Sequence, residues 1–128
     1  MKQTWIQMGM PITLEIVDKK TDKKVFADIK SLFARIDERY STYKRDSEIS
    51  QINRGLPKVR WSPEMKHVLT LCAGTKRETN GYFDISHDNQ LDPSGLVKGW
   101  AINLAAQHLR KAGCKNFYVE AGGDIQVC

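Results

Sequence analysis

The sequence predicts an α+β fold in which helices pack on an antiparallel or mixed sheet, and three observations carry that prediction. Apolar and polar residues alternate in "ITLEIVD", so Ile12, Leu14 and Ile16 share one face of a strand. The apolar period then changes to that of a helix in three later segments. Near the end, "FYVEAGGDIQV" reads as two strands joined across Gly122 and Gly123. The resulting order is strand, helix, helix, strand, helix, hairpin, which belongs to layered α+β architectures rather than to alternating β-α units.

Each element has its own signals. Val25, Phe26, Ile29, Leu32, Phe33 and Ile36 form one helical stripe, with Asp22 placed to cap it. "STYKRDSEISQIN" is a polar loop leading into a short helical turn. "WSPEM" starts the next helix: Ser62 caps, Pro63 takes the first position and Glu64 suits the positive end. Met65, Val68, Leu69 and Cys72 give that helix a buried face. After Gly81, "YFDIS" predicts a short strand. A further helix has Leu96, Val97, Trp100, Ala101, Leu104, Ala105 and Leu109 on its inner face and ends at Gly113. The last predicted strand, "DIQVC", runs to the end of the chain. That pattern predicts an incomplete domain, with a sheet edge open to self-association.

Composition narrows the function. The 128 residues fit one domain, 1–128, with a single modest core, and the 41% hydrophobic content is ordinary for a globular protein. The formal charge is +5, from 20 basic and 15 acidic residues. Most basic residues alternate with acids, as in "ERYSTYKRDSE", and no basic stripe with interleaved aromatics appears, so nucleic acid is not an expected partner. The charges read first as a solvated, balanced surface, and a weaker reading is that the surplus attracts small phosphorylated anions. No apolar run is long enough to span a bilayer. "MKQTWIQMGMPITLEIVD" is not a signal peptide as it stands, and two expectations follow: a cytoplasmic location, or a chain from which an export or lipoprotein signal has been removed. Cys72, Cys114 and Cys128 are far apart and lack metal or redox spacing, which predicts buried thiols in a reducing compartment.

The stretch "LDPSGLVKGW", residues 91–100, concentrates the chemistry. Asp92 or Ser94 can cap the helix that follows, Pro93 fixes the turn, and Gly95 lets a ligand approach the backbone. The free amides of a helix start carry about half a positive charge and favour anions. Lys98, one turn in, is there at a cost of a few tenths of a kcal/mol on dipole grounds, about 0.3 kcal/mol at the low end. Two readings stand: a solvated lysine on an ordinary helix, or a lysine with a phosphate between it and the amides. The glycine spacing is not that of a P-loop.

Taken with "MGMPITLEI", "RIDERYSTYKRDSEISQIN", "GYFDIS" and "YVEAGGDI", the stretch "LDPSGLVKGWA" resembles the FAD:protein FMN transferase family, the ApbE-like flavin transferases. Five motifs in order cover nearly the whole chain. The resemblance implies an ApbE-like, T-fold-like domain that binds FAD and Mg²⁺. It implies transfer of FMN from FAD onto a Thr or Ser hydroxyl of an acceptor flavoprotein, with release of AMP; some members hydrolyse FAD instead.

The resemblance also implies roles at matching positions. Met8 would line the FAD pocket and Tyr43 would contact the flavin or adenine part. Tyr82, Phe83 and Asp84 match the segment that holds FAD. Asp92 and Lys98 match the acid and the base that contact it. Gly95 stands where the family often has alanine and would offer a carbonyl to Mg²⁺. Asp124 is read as shaping its glycine turn. No catalytic base is assigned: His67 and His108 lie on predicted helices, and His87 is nearer the expected site.

Members of the family are longer and carry a downstream acidic segment that completes the metal site. After Asp124 only Ile125, Gln126, Val127 and Cys128 remain, so this chain is expected to supply the FAD-facing portion. The alternatives are a non-catalytic flavin- or nucleotide-binding module lacking the metal half, and a structural domain whose motifs only shape turns.

Overall fold

The chain opens with a hairpin of two strands, β1 (Lys2–Gln7) and β2 (Met10–Ile16). Four helices follow: α1 (Lys23–Tyr40), α2 (Glu48–Asn53), α3 (Pro63–Glu78) and, after the two-residue strands β3 (Ser86–His87) and β4 (Gln90–Leu91), α4 (Ser94–Lys111). A second hairpin, β5 (Phe117–Ala121) and β6 (Asp124–Val127), closes the order. These elements come from a computed structural model, which describes residues 1–18 and 23–127. Asp22, the expected cap of α1, lies outside the described residues, as does Cys128.

Two compact units divide the chain: Met1–Asp37 with the segment from Lys98 onward, and Glu38–Val97. The first unit holds a four-stranded sheet in the order β1-β2-β5-β6, with every pair antiparallel. The alternation read from the sequence sets its register. Ile12, Leu14 and Ile16 pair with Ala121, Val119 and Phe117, and all six side chains are buried. Phe26, Ile29, Phe33 and Ile36 of α1 are buried too, as are Ala101, Ile102, Ala105, Ala106 and Leu109 of α4. Each fully buried Ile, Leu or Phe contributes about 1.5–3 kcal/mol over its exposed state, so this face holds the first unit together.

Strand β1 has no counterpart in the strand pattern of the sequence. Its inward positions are Gln3, Trp5 and Gln7, all only half-buried, so two polar residues blur the period-2 signal. The Trp5 ring meets Phe33 edge to face, with centroids 6.1 Å apart, and the Lys30 ammonium lies 5.5 Å from its centroid. Asp18 joins the end of β2 to the start of β5: its carboxylate accepts the amides of Lys115 (2.7 Å) and Asn116 (3.2 Å).

The second unit is helical. Ser62 caps α3 as its sequence predicts, accepting the Met65 amide at 3.0 Å with Pro63 at the first position. Glu48 of α2 accepts both the amide (2.6 Å) and the hydroxyl (2.8 Å) of Ser62. Arg39 bridges Glu48 (3.3 Å) and Glu64 (3.0 Å), and the Tyr40 hydroxyl donates to Glu64 at 3.1 Å. Burial, reinforced by the Glu64 carboxylate, pushes the Tyr40 phenol far above its ordinary pKa. The network fixes the end of α1, the start of α2 and the start of α3 in one arrangement.

The expected strand "YFDIS" is a correction. Residues 82–85 are irregular, and only Ser86 and His87 pair, with Gln90 and Leu91. Local hydrogen bonds account for this. Thr79 accepts the Phe83 amide through its hydroxyl (3.0 Å), and Asp84 accepts the Ser86 amide (2.9 Å). Side chains that bond the backbone this way draw it out of a ladder. The Asn53 amide group then brackets Leu91, accepting its N–H at 2.8 Å and donating to its carbonyl at 3.0 Å.

Candidate functional site

Of the residues picked from the sequence, Tyr43, Tyr82, Phe83, Asp84, Asp92 and Gly95 fall in the second unit, and Met8 and Lys98 in the first.

In the second unit the irregular segment 82–85 and the start of α4 come together. Asp92 donates its amide to the Ile85 carbonyl at 2.8 Å, and its carboxylate accepts the Ser94 amide at 3.1 Å. Of the two caps the sequence allowed, Asp92 is the one that bonds at the helix start. Pro93 is buried behind it, while Ser94 and Gly95 are exposed. Phe83 packs on this first turn: a β-carbon at Gly95 would stand 3.7 Å from its ring edge, an ordinary contact. The position therefore has room for alanine.

Asp84 is engaged on both oxygens. One accepts the Ser86 amide, and the other pairs with Lys76 at 3.3 Å. The Ser86 hydrogen bond, helped by Lys76, holds its carboxyl below the ordinary carboxylate range. It is an anion that organises its own loop.

Tyr43 and Tyr82 are 99% and 95% exposed. Aromatic rings this bare are unusual in a folded surface, because each leaves a large apolar area in water. Tyr43 sits in a loop shaped by Ser41, whose hydroxyl accepts the amides of Tyr43 (3.2 Å) and Lys44 (3.3 Å). Beneath it the buried Ser47 donates to the Ser41 carbonyl, and Ser50 donates to the Lys44 carbonyl at 2.8 Å. The ring is thus presented by an ordered turn.

In the first unit Met8 occupies the tip of the β1–β2 hairpin. Met8 and Gly9 have φ of 58° and 70°, the left-handed pair that a two-residue hairpin turn requires. Glycine takes this conformation freely; methionine does so at a cost of order 1 kcal/mol. Asp37, buried at the end of α1's share of this unit, accepts Gln7 Nε2 at 2.7 Å and the Met8 amide at 3.4 Å. Sequence reading missed Asp37, because an acid beside Ile36 in a helix reads as a solvated face.

Lys98 is half-buried. Its ammonium reaches the Gly122 carbonyl at 3.4 Å and the Asp124 carboxylate at 3.5 Å. The β5–β6 turn that presents both groups has left-handed Gly122 and Gly123, φ 54° and 97°, as its sequence predicts. Lys98 is therefore not a freely solvated lysine.

The histidines sort by geometry. His67 and His87 are exposed, and His108 lies 3.4 Å from Asp28. None is joined by a hydrogen bond to a nucleophile among the described residues. Cys72 and Cys114 are buried free thiols; burial pushes Cys72 up to about 11. No helix among the described residues is long and apolar enough to cross a membrane.

Mg²⁺ needs near-octahedral oxygen coordination, usually with at least one carboxylate. Among the described residues no three His, Cys, Asp or Glu side chains converge on a common point. The Gly95 carbonyl lies within the first turn of α4 and by itself does not make such a set. The described residues do not fit a complete Mg²⁺ site.

Comparison with known proteins follows the same outline. The model of the ApbE family matches residues 8–89 and 85–128. The fold is similar to the flavin transferase ApbE from Vibrio cholerae, with a TM-score of 0.88 at 18% identity over 99% of this chain and 58% of that one. It is similar to the flavinyl transferase ApbE of Pseudomonas stutzeri in its apo form (0.84, 16%, covering 99% and 57%). It is also similar to the ApbE protein of Thermotoga maritima msb8 (0.85, 17%, covering 99% and 58%). The chain spans less than two thirds of the length of each of these structures. At these identities the likeness is one of fold. No curated protein matches the chain.

Proposed function

The chain belongs to the ApbE family, and on that footing we propose that it is the FAD-facing portion of a FAD:protein FMN transferase. The reaction moves FMN from FAD to a Thr or Ser hydroxyl of an acceptor flavoprotein. The hydroxyl oxygen attacks the FMN-side phosphorus, the bond from that phosphorus to the bridging oxygen breaks, and AMP leaves with that oxygen. The hydroxyl proton passes to a base that this chain does not identify.

The observation that supports this reading best is the start of α4. Asp92 bonds one end amide, Ser94 and Gly95 leave the helix start open, and Lys98 follows one turn later. Helix-end amides and an ammonium both stabilise phosphate oxygens, and phosphoryl transfer depends on such charge neutralisation more than on covalent help. Tyr43 and Tyr82 offer bare ring faces on which a flavin or an adenine can stack. Phe83 holds the first turn of α4 and Asp84 shapes the loop before it. Met8 enters the proposal from the family resemblance, as a polarisable side chain toward FAD. Mg²⁺, when bound in the family's enzymes, neutralises further charge on the pyrophosphate. In this reading Gly95 contributes at most one carbonyl toward it.

The test is a titration of FAD, FMN and riboflavin followed by flavin fluorescence, paired with an assay for AMP. FAD is expected to bind most tightly and riboflavin least. With no carboxylate set for Mg²⁺ among the described residues, the 128-residue chain alone is expected to release little AMP. Equal affinity for riboflavin and FAD would remove the pyrophosphate from the explanation and overturn the reading.

A further inference from the structure

Lys98 and Asp124 form a contact whose chemistry bears on the phosphate site just proposed, and the inference below rests on that reading. The ammonium has three donors. The structure gives it two polar partners, the Gly122 carbonyl at 3.4 Å and the Asp124 carboxylate at 3.5 Å. The lysine side chain is 29% exposed and the aspartate 52%. A phosphate arriving at Lys98 therefore meets an ammonium that already has a counter-ion, and a carboxylate of its own sign beside it.

We infer that Asp124 is an affinity-setting residue: its carboxylate is the resident anion of Lys98, and a phosphate-bearing ligand binds by competing with it. Two effects oppose each other, and their sizes fix the sign. Asp124 could help binding by pinning the lysine. The Gly122 carbonyl and the partly buried stem hold Lys98 independently, however, and a half-exposed pair at this distance holds it weakly. Against that stands repulsion between carboxylate and phosphate sharing one ammonium, which exceeds the weak pinning at the separations that sharing imposes. Loss of the carboxylate therefore tightens binding. The same balance makes the site discriminating, because an anion too weakly charged to displace Asp124 gains little from Lys98.

The experiment compares Asp124→Asn, Lys98→Ala and the double variant with the unaltered 128-residue chain, using FAD, riboflavin and inorganic pyrophosphate as probes. Asp124→Asn is expected to tighten FAD and pyrophosphate roughly three- to tenfold. It should leave riboflavin unchanged, and the gain should vanish in the Lys98→Ala background. FAD affinity should also fall more steeply with added salt in Asp124→Asn, because an uncompensated ammonium is the more screened. A structural role for Asp124 would shift riboflavin together with FAD, and that result would overturn the inference. So would weaker FAD and pyrophosphate binding by Asp124→Asn, or an equal effect with and without Lys98. If the unaltered chain fails to prefer FAD over riboflavin, the functional reading falls while pyrophosphate still tests the pair: unchanged or weakened pyrophosphate binding in Asp124→Asn would then sink it.

Discussion

Met10 and Gly122 approach so closely that a β-carbon on Gly122 would stand 2.8 Å from the Met10 sulfur. The same carbon would lie 3.6 Å from Lys98 Cδ, and the residue sits at φ 54°. Gly122→Ala is therefore expected to lower stability by about 1–2 kcal/mol, from left-handed strain and the displaced thioether. Because the obstructing atom belongs to a flexible side chain, adding Met10→Ala should remove the steric part and leave the backbone part. Denaturant melts of the single and double variants measure both.

Met8 separates stability from binding. Glycine at position 8 relieves the left-handed strain of the β1–β2 turn and should stabilise the chain by about 0.5–1 kcal/mol. It also removes the side chain proposed to line the flavin site, so FAD affinity should fall in the same variant. A more stable chain with unchanged FAD binding would remove Met8 from the site.

Glu48 is the centre of the polar network in the second unit. Glu48→Ala leaves the Ser62 amide and hydroxyl and one side of Arg39 without their partner. The expected loss is about 2–3 kcal/mol, the range for a hydrogen-bonded, largely buried charged acceptor. Glu48→Gln can still accept from Ser62 and should lose less. Thermal melts of the two variants decide.

Asp18 predicts an acid dependence. Its folded carboxyl lies below the ordinary value, chiefly through the Lys115 amide, with burial opposing and Asn116 helping. A carboxyl depressed in the folded state contributes stability that is present above the unfolded pKa, about 3.9, and is lost as pH falls through the folded value. The difference in melting temperature between the unaltered chain and Asp18→Asn should therefore be widest near neutral pH and close in acid. A gap independent of pH would exclude the linkage.

Periodicity made the cores of both units legible, because it reports where apolar side chains recur. It found the stripe ending at Ile36, while cap and glycine signals found the Ser62 cap, the Gly122–Gly123 turn and the end of α4 at Gly113. What escaped it were polar residues acting inside the fold. Gln3 and Gln7 hid β1, and Asp37, Ser47 and Ser50 gave no sign of burial. "YFDIS" has strand composition, yet Thr79 and Asp84 divert its backbone. Of the candidate site, the turn before α4 was readable from Asp92, Pro93 and Gly95 alone. The partners of Lys98 were not, because Gly122 and Asp124 come from a distant hairpin.

The inserted position of the second unit has a consequence during synthesis. Strand β2 finds its inner neighbour only when β5 is made, and the Asp18–Asn116 clamp closes over 98 positions. The first hairpin leaves the ribosome with Ile12, Leu14 and Ile16 on a face that nothing yet covers. The second unit, Glu38–Val97, is contiguous, so all of its own residues are made before α4 is complete. The sheet thus stays unfinished through the synthesis of the second unit, and the time taken to make α4 and β5 sets how long a sticky strand stays on offer to chaperones or to other nascent chains.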